Sequence, residues 1–203
     1  MTDKMQLAPL LGWYYERSLL EAFHSVVDSN GTICDLGANF GSHTVYFAAI
    51  MKARRVHSFE PQAHLIDVIK KTLELNQIDN VTLHHAVAGA KLGKAHLKRT
   101  HVENSGMAEF RPGAGDLPVD MLPVDDVVGE EHVTGVKIDV EGMQMPVLRG
   151  MSKTIRRCAP VLWLELRPAK GEIEQPSEWL AKRGYRRQKI SFRDFLFIPE
   201  TSA

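Results

Sequence analysis

The sequence predicts an α/β domain in which a mostly parallel sheet is doubly wound, with helices on both faces. Three observations carry this. Short β-rich runs alternate with segments of helical periodicity. The early strands end at turns from which helices start. The last two runs, YRRQKI and DFLFIP, lie close enough in sequence to pair as an antiparallel hairpin.

Along the chain, WYYERSLLEAFHSVV near the start places Leu19, Leu20, Phe23 and Val26 on one side of an expected amphipathic helix within an N-terminal segment, 1–30. The first strand is TICDLG (32–37), followed by a helix over 42–53 with Val45, Ala48, Ala49 and Met51 at helical spacing. RVHSFE (55–60) is a second strand stopped at Pro61, and in AHLIDVIKKTLELN (63–76) Leu65, Ile69 and Leu73 share a helix face. Further strands are expected at 81–89, 135–142 and 160–166, with a helix between the last two. The helix of PSEWLAKRGY (176–185) closes at Gly184, where a left-handed residue is expected. RPGAGDLPVD (111–120), rich in Gly and Pro, reads as loop. Nothing marks a linker, so 31–203 reads as one catalytic core and 1–203 as a single domain.

Composition narrows the partners. Lys and Arg total 25 against 25 Asp and Glu, which argues against binding driven by neutralising many phosphates, and so against nucleic acid or an anionic membrane as partner. No apolar run approaches the roughly 20 residues of a bilayer span, and a cytoplasmic protein is expected. Cys34 and Cys158 are too few for a disulfide framework and read as free buried thiols. No HExxH or Cys/His cluster occurs, so no metal site is expected. The sequence leaves the oligomeric state open.

The most informative segment is DLGANFGSHT (35–44). A strand running through a Gly turn into a helix start presents backbone N–H groups and a positive dipole end to a ligand. Gly37 can take a conformation closed to other residues, Asn39 can substitute for a left-handed glycine, and Gly41 keeps a side chain away from the helix start. Asp35 is placed to accept a hydrogen bond from a ligand ammonium. A dinucleotide fingerprint would need glycines where Asn39 and Ser42 stand, and a phosphate loop would need a lysine that is absent from 35–51. Both readings are weakened, although a nicotinamide-dependent oxidoreductase stays as an alternative. Glu60, ending the second strand, is placed to reach two ribose hydroxyls; the other reading is an acid favouring the start of the next helix.

DLGANFGSHT, then FEP (59–61), LNQIDNVTLHHAVAG (75–89), KIDVEGMQMPVLRG (137–150) and PVLWLEL resemble, in order and spacing, the FkbM family of S-adenosylmethionine-dependent methyltransferases. The resemblance implies the class I methyltransferase fold, a seven-stranded sheet with its last strand antiparallel. It further implies S-adenosylmethionine as cofactor and O-methylation of a hydroxylated small molecule such as a sugar or polyketide. Carried onto this chain, Asp35, Gly37, Asn39 and Gly41 match the cofactor loop, with Ala38 and Thr44 in the same string. Glu60 matches the ribose acid, followed by Pro61, and Ala86 with Val87 the segment beside adenine. Asp139 and Glu141 match the acidic pair. Ser42 and His43 depart from bulkier aromatic residues, and Gln144 stands where a second glutamate is common.

Transfer to an alcohol requires that the acceptor lose a proton. Asp139, at the carboxyl end of a strand where ligands of open sheets bind, is the first candidate base, and Glu141 the candidate to orient the acceptor or to help bind a divalent ion. Capping of the following helix is the alternative for both. Glu165 is a further acid at the same edge, and His43, His84, His85 and His101 are histidines that could act near neutrality. The loop over 100–120, with His101, Asn104, Ser105, Met107 and Phe110, is expected to cover the acceptor. Trp13, Tyr14 and Tyr15 either close the cofactor side or anchor a helix in the core. A binding protein that keeps the cofactor pocket without catalysis is the remaining alternative.

Overall fold

The computed structural model describes residues 15–99, 109–113, 115 and 117–200. Its elements in chain order are α1 (Arg17–His24), β1 (Thr32–Leu36), α2 (Ser42–Val45) continuing as a π-helix (Tyr46–Ile50), β2 (Arg55–Phe59), α3 (Ala63–Leu75), β3 (Val81–His84), β4 (Ala86–Ala88), β5 (Gly93–Arg99), β6 (Glu109–Pro112) and β7 (Pro118–Leu122). Then come α4 (Val124–Val128), β8 (Val133–Ile138), α5 (Gln144–Gly150), α6 (Ser152–Cys158), β9 (Val161–Glu165), a 3-10 turn (Pro168–Lys170), α7 (Glu174–Ala181), β10 (Tyr185–Lys189) and β11 (Asp194–Pro199).

Seven strands form the main sheet in the order β10-β11-β9-β8-β1-β2-β3. Strands β3, β2, β1, β8 and β9 are parallel, while β11 runs antiparallel to both β9 and β10. The chain reverses its winding at β1, which pairs with β2 on one side and β8 on the other. Ligands of open α/β sheets bind beyond the strand ends at such a point.

The alternation of side chains along the central strands divides the core between the two faces. Cys34 and Leu36 of β1, Val136 and Ile138 of β8, and Leu162 and Leu164 of β9 pack with Leu148 of α5, Ile155 of α6 and Leu180 of α7. Ile33, Val56, Val161 and Trp163 face the other way, against Leu20 and Phe23 of α1 and Phe47 of the π-helix. With both faces covered, all five residues of β1 are buried. The same register sets Asp35 beside Lys137, and Lys137 beside Trp163, in one row across three strands.

Several expectations are corrected. The strand over 81–89 is two strands in different sheets: β3 stays on the main sheet edge, while β4 pairs with β7 in a four-stranded sheet of order β4-β7-β5-β6. The break falls at His85, whose exposed ring lies 3.0 Å from the Pro61 carbonyl oxygen. The 111–120 segment read as loop begins in β6 and ends in β7, because backbone pairing to β5 overrides its Gly and Pro content. The expected helix over 42–53 is a short α-helix that widens into the π-turn. Just past the end of α1, Val27 is buried rather than Val26, which is 39% exposed. Cys34 is buried and Cys158 half-buried, both free.

Candidate functional site

Beyond the carboxyl ends of β1, β2 and β8 lies a cavity lined by Gly37, Asn39, Phe59, Glu60, Pro61, Ala86, Val87, Phe110, Asp139, Glu141 and Met143, among others. The turn after β1 shapes one wall. Gly37 has φ 89°, and a Cβ there would meet the Asp139 carbonyl oxygen at 2.0 Å, so no other residue fits where β1 and β8 come together. Asn39 takes the left-handed conformation with φ 52°. Gly41 (φ 79°) faces Ile69 of α3 rather than the cavity, so its missing side chain serves helix packing.

Glu60 forms the opposite wall and is 3% exposed. One carboxylate oxygen accepts the Asn39 N–H and the other the Gln62 N–H, each at 2.8 Å. The Gln62 side chain also hydrogen-bonds this carboxyl, and a carboxylate, with about four acceptor positions, still keeps capacity for a ligand. Burial pushes this carboxyl up to about 7, against the pull of the two backbone hydrogen bonds. A buried carboxylate with spare acceptor capacity, a side-chain-free Gly37 and the small residues Ala86 and Ala88 fit the ribose and base of a nucleoside.

A second cavity, of about 350 Å³, adjoins the first; Gly37, Asn39, Asp139 and Glu141 line both. Its other walls include Tyr15, Glu16, Ala38, His43, Lys137, Glu165, Arg167, Phe192 and Arg193. Asp139 follows the last residue of β8, and its side chain is 32% exposed. Behind it, the buried Lys137 ammonium lies 3.1 Å from Asp139 and 3.8 Å from Asp35, with the Trp163 ring centroid at 5.9 Å. Burial works to lower the Lys137 pKa, but Asp139 and Asp35 outweigh it and hold the ammonium above its ordinary value. Burial likewise works against an ionised Asp139, yet Lys137 and a hydrogen bond with Glu165 keep its carboxyl below the usual range. Glu165, pushed up to about 8 by burial and by the Asp139 charge, carries the shared proton near neutrality.

Not every expected site residue reaches a cavity. Asp35 is fully buried, accepting a hydrogen bond from the Thr44 hydroxyl at 2.6 Å, and Asp35, Gly41 and Thr44 are absent from both linings. Glu141 is held in an ion pair by Arg167, which also binds Glu172. Neither acid caps α5, whose N-cap position is Met143 without a side-chain bond. His43 is buried near Phe47 and Trp163, with Glu16 at 3.3 Å. His84 stacks on Phe59 and lies 3.0 Å from His57; burial and then His57 lower its pKa to about 4. Trp13, Tyr14, His101, Asn104, Ser105 and Met107 lie outside the described residues, while Phe110 and Tyr15 line the two cavities. Arg167, Phe192 and Arg193 went unnoticed in the sequence; the only signal was their nearness to the ends of β9 and β11. Among the described residues, no group of three His, Cys, Asp or Glu side chains is placed to hold a metal ion, and no helix is long and apolar enough to cross a membrane.

The sheet order and the acidic edge around a Gly turn define a transferase of the class I methyltransferase fold. The methyltransferase FkbM domain description matches residues 35–187, and the chain belongs to the FkbM methyltransferase family, which uses S-adenosylmethionine. Methyltransferase 1 of Beauveria bassiana (strain ARSEF 2860) is 24% identical over 177 residues, covering 75% of this chain and 71% of that protein. The crystal structure of methyltransferase FkbM from Methylobacillus flagellatus KT superposes with a TM-score of 0.63 at 16% identity, covering 88% of this chain and 50% of that one. The chain thus spans about half the length of that relative. A protein of Streptococcus mutans, solved in complex with S-adenosylhomocysteine (SAH), superposes with a TM-score of 0.55 at 14% identity over 89% of this chain and 94% of that one.

Proposed function

We propose that this protein methylates a hydroxyl oxygen of a small molecule, with S-adenosylmethionine as donor. The observation that carries the reading is that Asp139 lines both the nucleoside-shaped cavity and the larger one beside it. Bound in the first, the cofactor supplies a methyl group made electrophilic by its sulfonium. Glu60 would hold the ribose hydroxyls, the turn at Gly37 and Asn39 would approach the cofactor through backbone, and Ala86 with Val87 would flank the base.

In the second cavity, Asp139 accepts a hydrogen bond from the acceptor hydroxyl and fixes its direction. Orientation of this kind supplies up to about 7–11 kcal/mol of a barrier. Asp139 then takes the hydroxyl proton. A weak base is sufficient, because an alcohol oxygen becomes strongly acidic as it is alkylated, and a placed base contributes roughly 10²–10⁴-fold. Lys137 keeps Asp139 ionised for this role, and Glu165 holds its orientation through the shared proton.

The test is incorporation of labelled methyl from S-adenosylmethionine into a small-molecule extract. The reading expects incorporation by the wild type and a fall of at least about 100-fold in Asp139→Asn, with SAH binding retained. Wild-type incorporation in the variant would remove Asp139 from the reaction. SAH binding with no transfer to any extract would leave a protein that only binds the cofactor.

A further inference from the structure

We propose that the acceptor carries an anionic group, a carboxylate or a group of like shape, received by Arg193 at the mouth of the second cavity while its hydroxyl points to Asp139. The inference rests on the methyl-transfer reading and names the substrate class for the same site.

The cations lining that cavity differ in what they face. Lys137 is matched by Asp139 and Asp35. Arg167 is matched by Glu141 and Glu172, and Lys170 by Glu109 at 2.9 Å. Arg193 is different. Its side chain is 57% exposed, and its only ion-pair contact among the described residues is with Glu165, at 3.7 Å. At 3.7 Å that contact is too long for a hydrogen bond, so the guanidinium's donors stay open to the cavity, and burial, which raises the Glu165 carboxyl, weakens its hold further. Two of the carboxylates that would repel an anion are paired: Glu141 with Arg167 and Asp139 with Lys137. A guanidinium in this state, presenting a planar fork of donors, is suited to binding a carboxylate through two parallel hydrogen bonds.

The surroundings agree. Arg193 sits on the turn between β10 and β11, beside Phe192, which is 70% exposed at the cavity wall. Lys189 lies 5.7 Å from the Phe192 ring centroid on the other side. Arg186, Arg187 and Lys189 along β10 are exposed, and none forms an ion pair among the described residues. These cations add positive potential to the hairpin that carries Arg193. Glu165 lies between Arg193 and Asp139, so the two groups that would hold anion and hydroxyl are about one carboxyl group and two contacts apart. That spacing fits a compact hydroxy acid with its apolar body against Phe192.

The experiment separates an extract of cells that carry the gene into acidic and neutral pools by anion exchange and supplies each with labelled S-adenosylmethionine. The inference expects label in the acidic pool. With the acceptor purified from it, Arg193→Gln raises KM at least tenfold while kcat at saturation and SAH affinity stay within twofold, and Arg193→Lys recovers part of the loss. Label confined to the neutral pool overturns the anionic acceptor and leaves methyl transfer standing. Label in the acidic pool with an unchanged KM in Arg193→Gln overturns the role of Arg193. No label in either pool, with SAH still bound, removes methyl transfer itself and this inference with it.

Discussion

Asp139 and Glu165 lie at the carboxyl ends of the adjacent strands β8 and β9 with their carboxyl groups hydrogen-bonded to each other, so one proton serves two acids. Their separation in role follows from what lies behind each. Lys137 stabilises a charge on Asp139, whereas burial leaves Glu165 to keep the proton.

This pair gives stability a definite pH dependence. Folded Glu165 keeps its proton up to about pH 8, while the unfolded chain releases it near 4.5. The folded state binds the extra proton, so its contribution is complete below about 4.5 and is lost as the pH climbs through 8. Glu165→Gln imitates the protonated form and escapes that loss. Between pH 5 and 8.5 its melting temperature should gain on the wild type by at least about 2 °C, taking roughly 2–4 °C per kcal/mol for a chain of this size. A constant difference across the range contradicts the shared proton.

Glu60 gives a pH dependence to binding. Its carboxyl is raised to about 7 by burial, and a ligand diol favours the ionised form, which accepts both hydroxyls. SAH affinity should therefore fall roughly tenfold from pH 8 to pH 6, the ratio of ionised carboxylate at the two pH values. In Glu60→Gln the affinity should be lower and flat over this range. Calorimetric titration at several pH values reads both, and a flat wild-type profile argues against ribose contact.

Removing the buried ammonium tests the row behind the site. Lys137→Met leaves Asp35 and Asp139 without their cation, and loss of one partner from a buried ion pair costs about 3–5 kcal/mol. Denaturant unfolding should show a loss of that order. A change under about 1 kcal/mol would mean that water or rearrangement replaces the lysine.

The turn after β1 is rigidly specified. In Gly37→Ala the new methyl would need to occupy space held by the Asp139 carbonyl oxygen, so folding stability should fall by more than about 2 kcal/mol and SAH binding should be lost. Gly184, also at positive φ but with nothing within 4 Å of an added Cβ, is the control. Gly184→Ala should cost only the backbone conformation, about 1–2 kcal/mol, and leave binding intact.

The central strands, the Gly turn and the C-terminal hairpin were legible because their signals are local: a buried β-rich run, a glycine at a strand end, a period of two. Glu60 was legible for the same reason, as an acid closing a strand. The second sheet was not, since β6 and β7 are made by pairing with β5 across sequence that reads as turn. Nor was the environment of Asp139. Lys137 two residues before it was visible, but Glu165 reaches it only because β9 lies beside β8. Asp35 read as a ligand contact because its position along the chain is right; register places it beside Lys137 and under Thr44, inside the core. The Arg167 clamp on Glu141 depends on the turn after β9 folding back, which no spacing in the sequence encodes.

The central claim is that the cavity at the ends of β1 and β2 holds S-adenosylmethionine by the ribose. Titration calorimetry of SAH and of NAD against the wild type and Glu60→Ala tests it most directly. The account predicts one SAH bound per chain, at least a tenfold weaker constant in Glu60→Ala, and no heat with NAD. Binding of NAD in place of SAH, or an unchanged SAH constant in the variant, would contradict it.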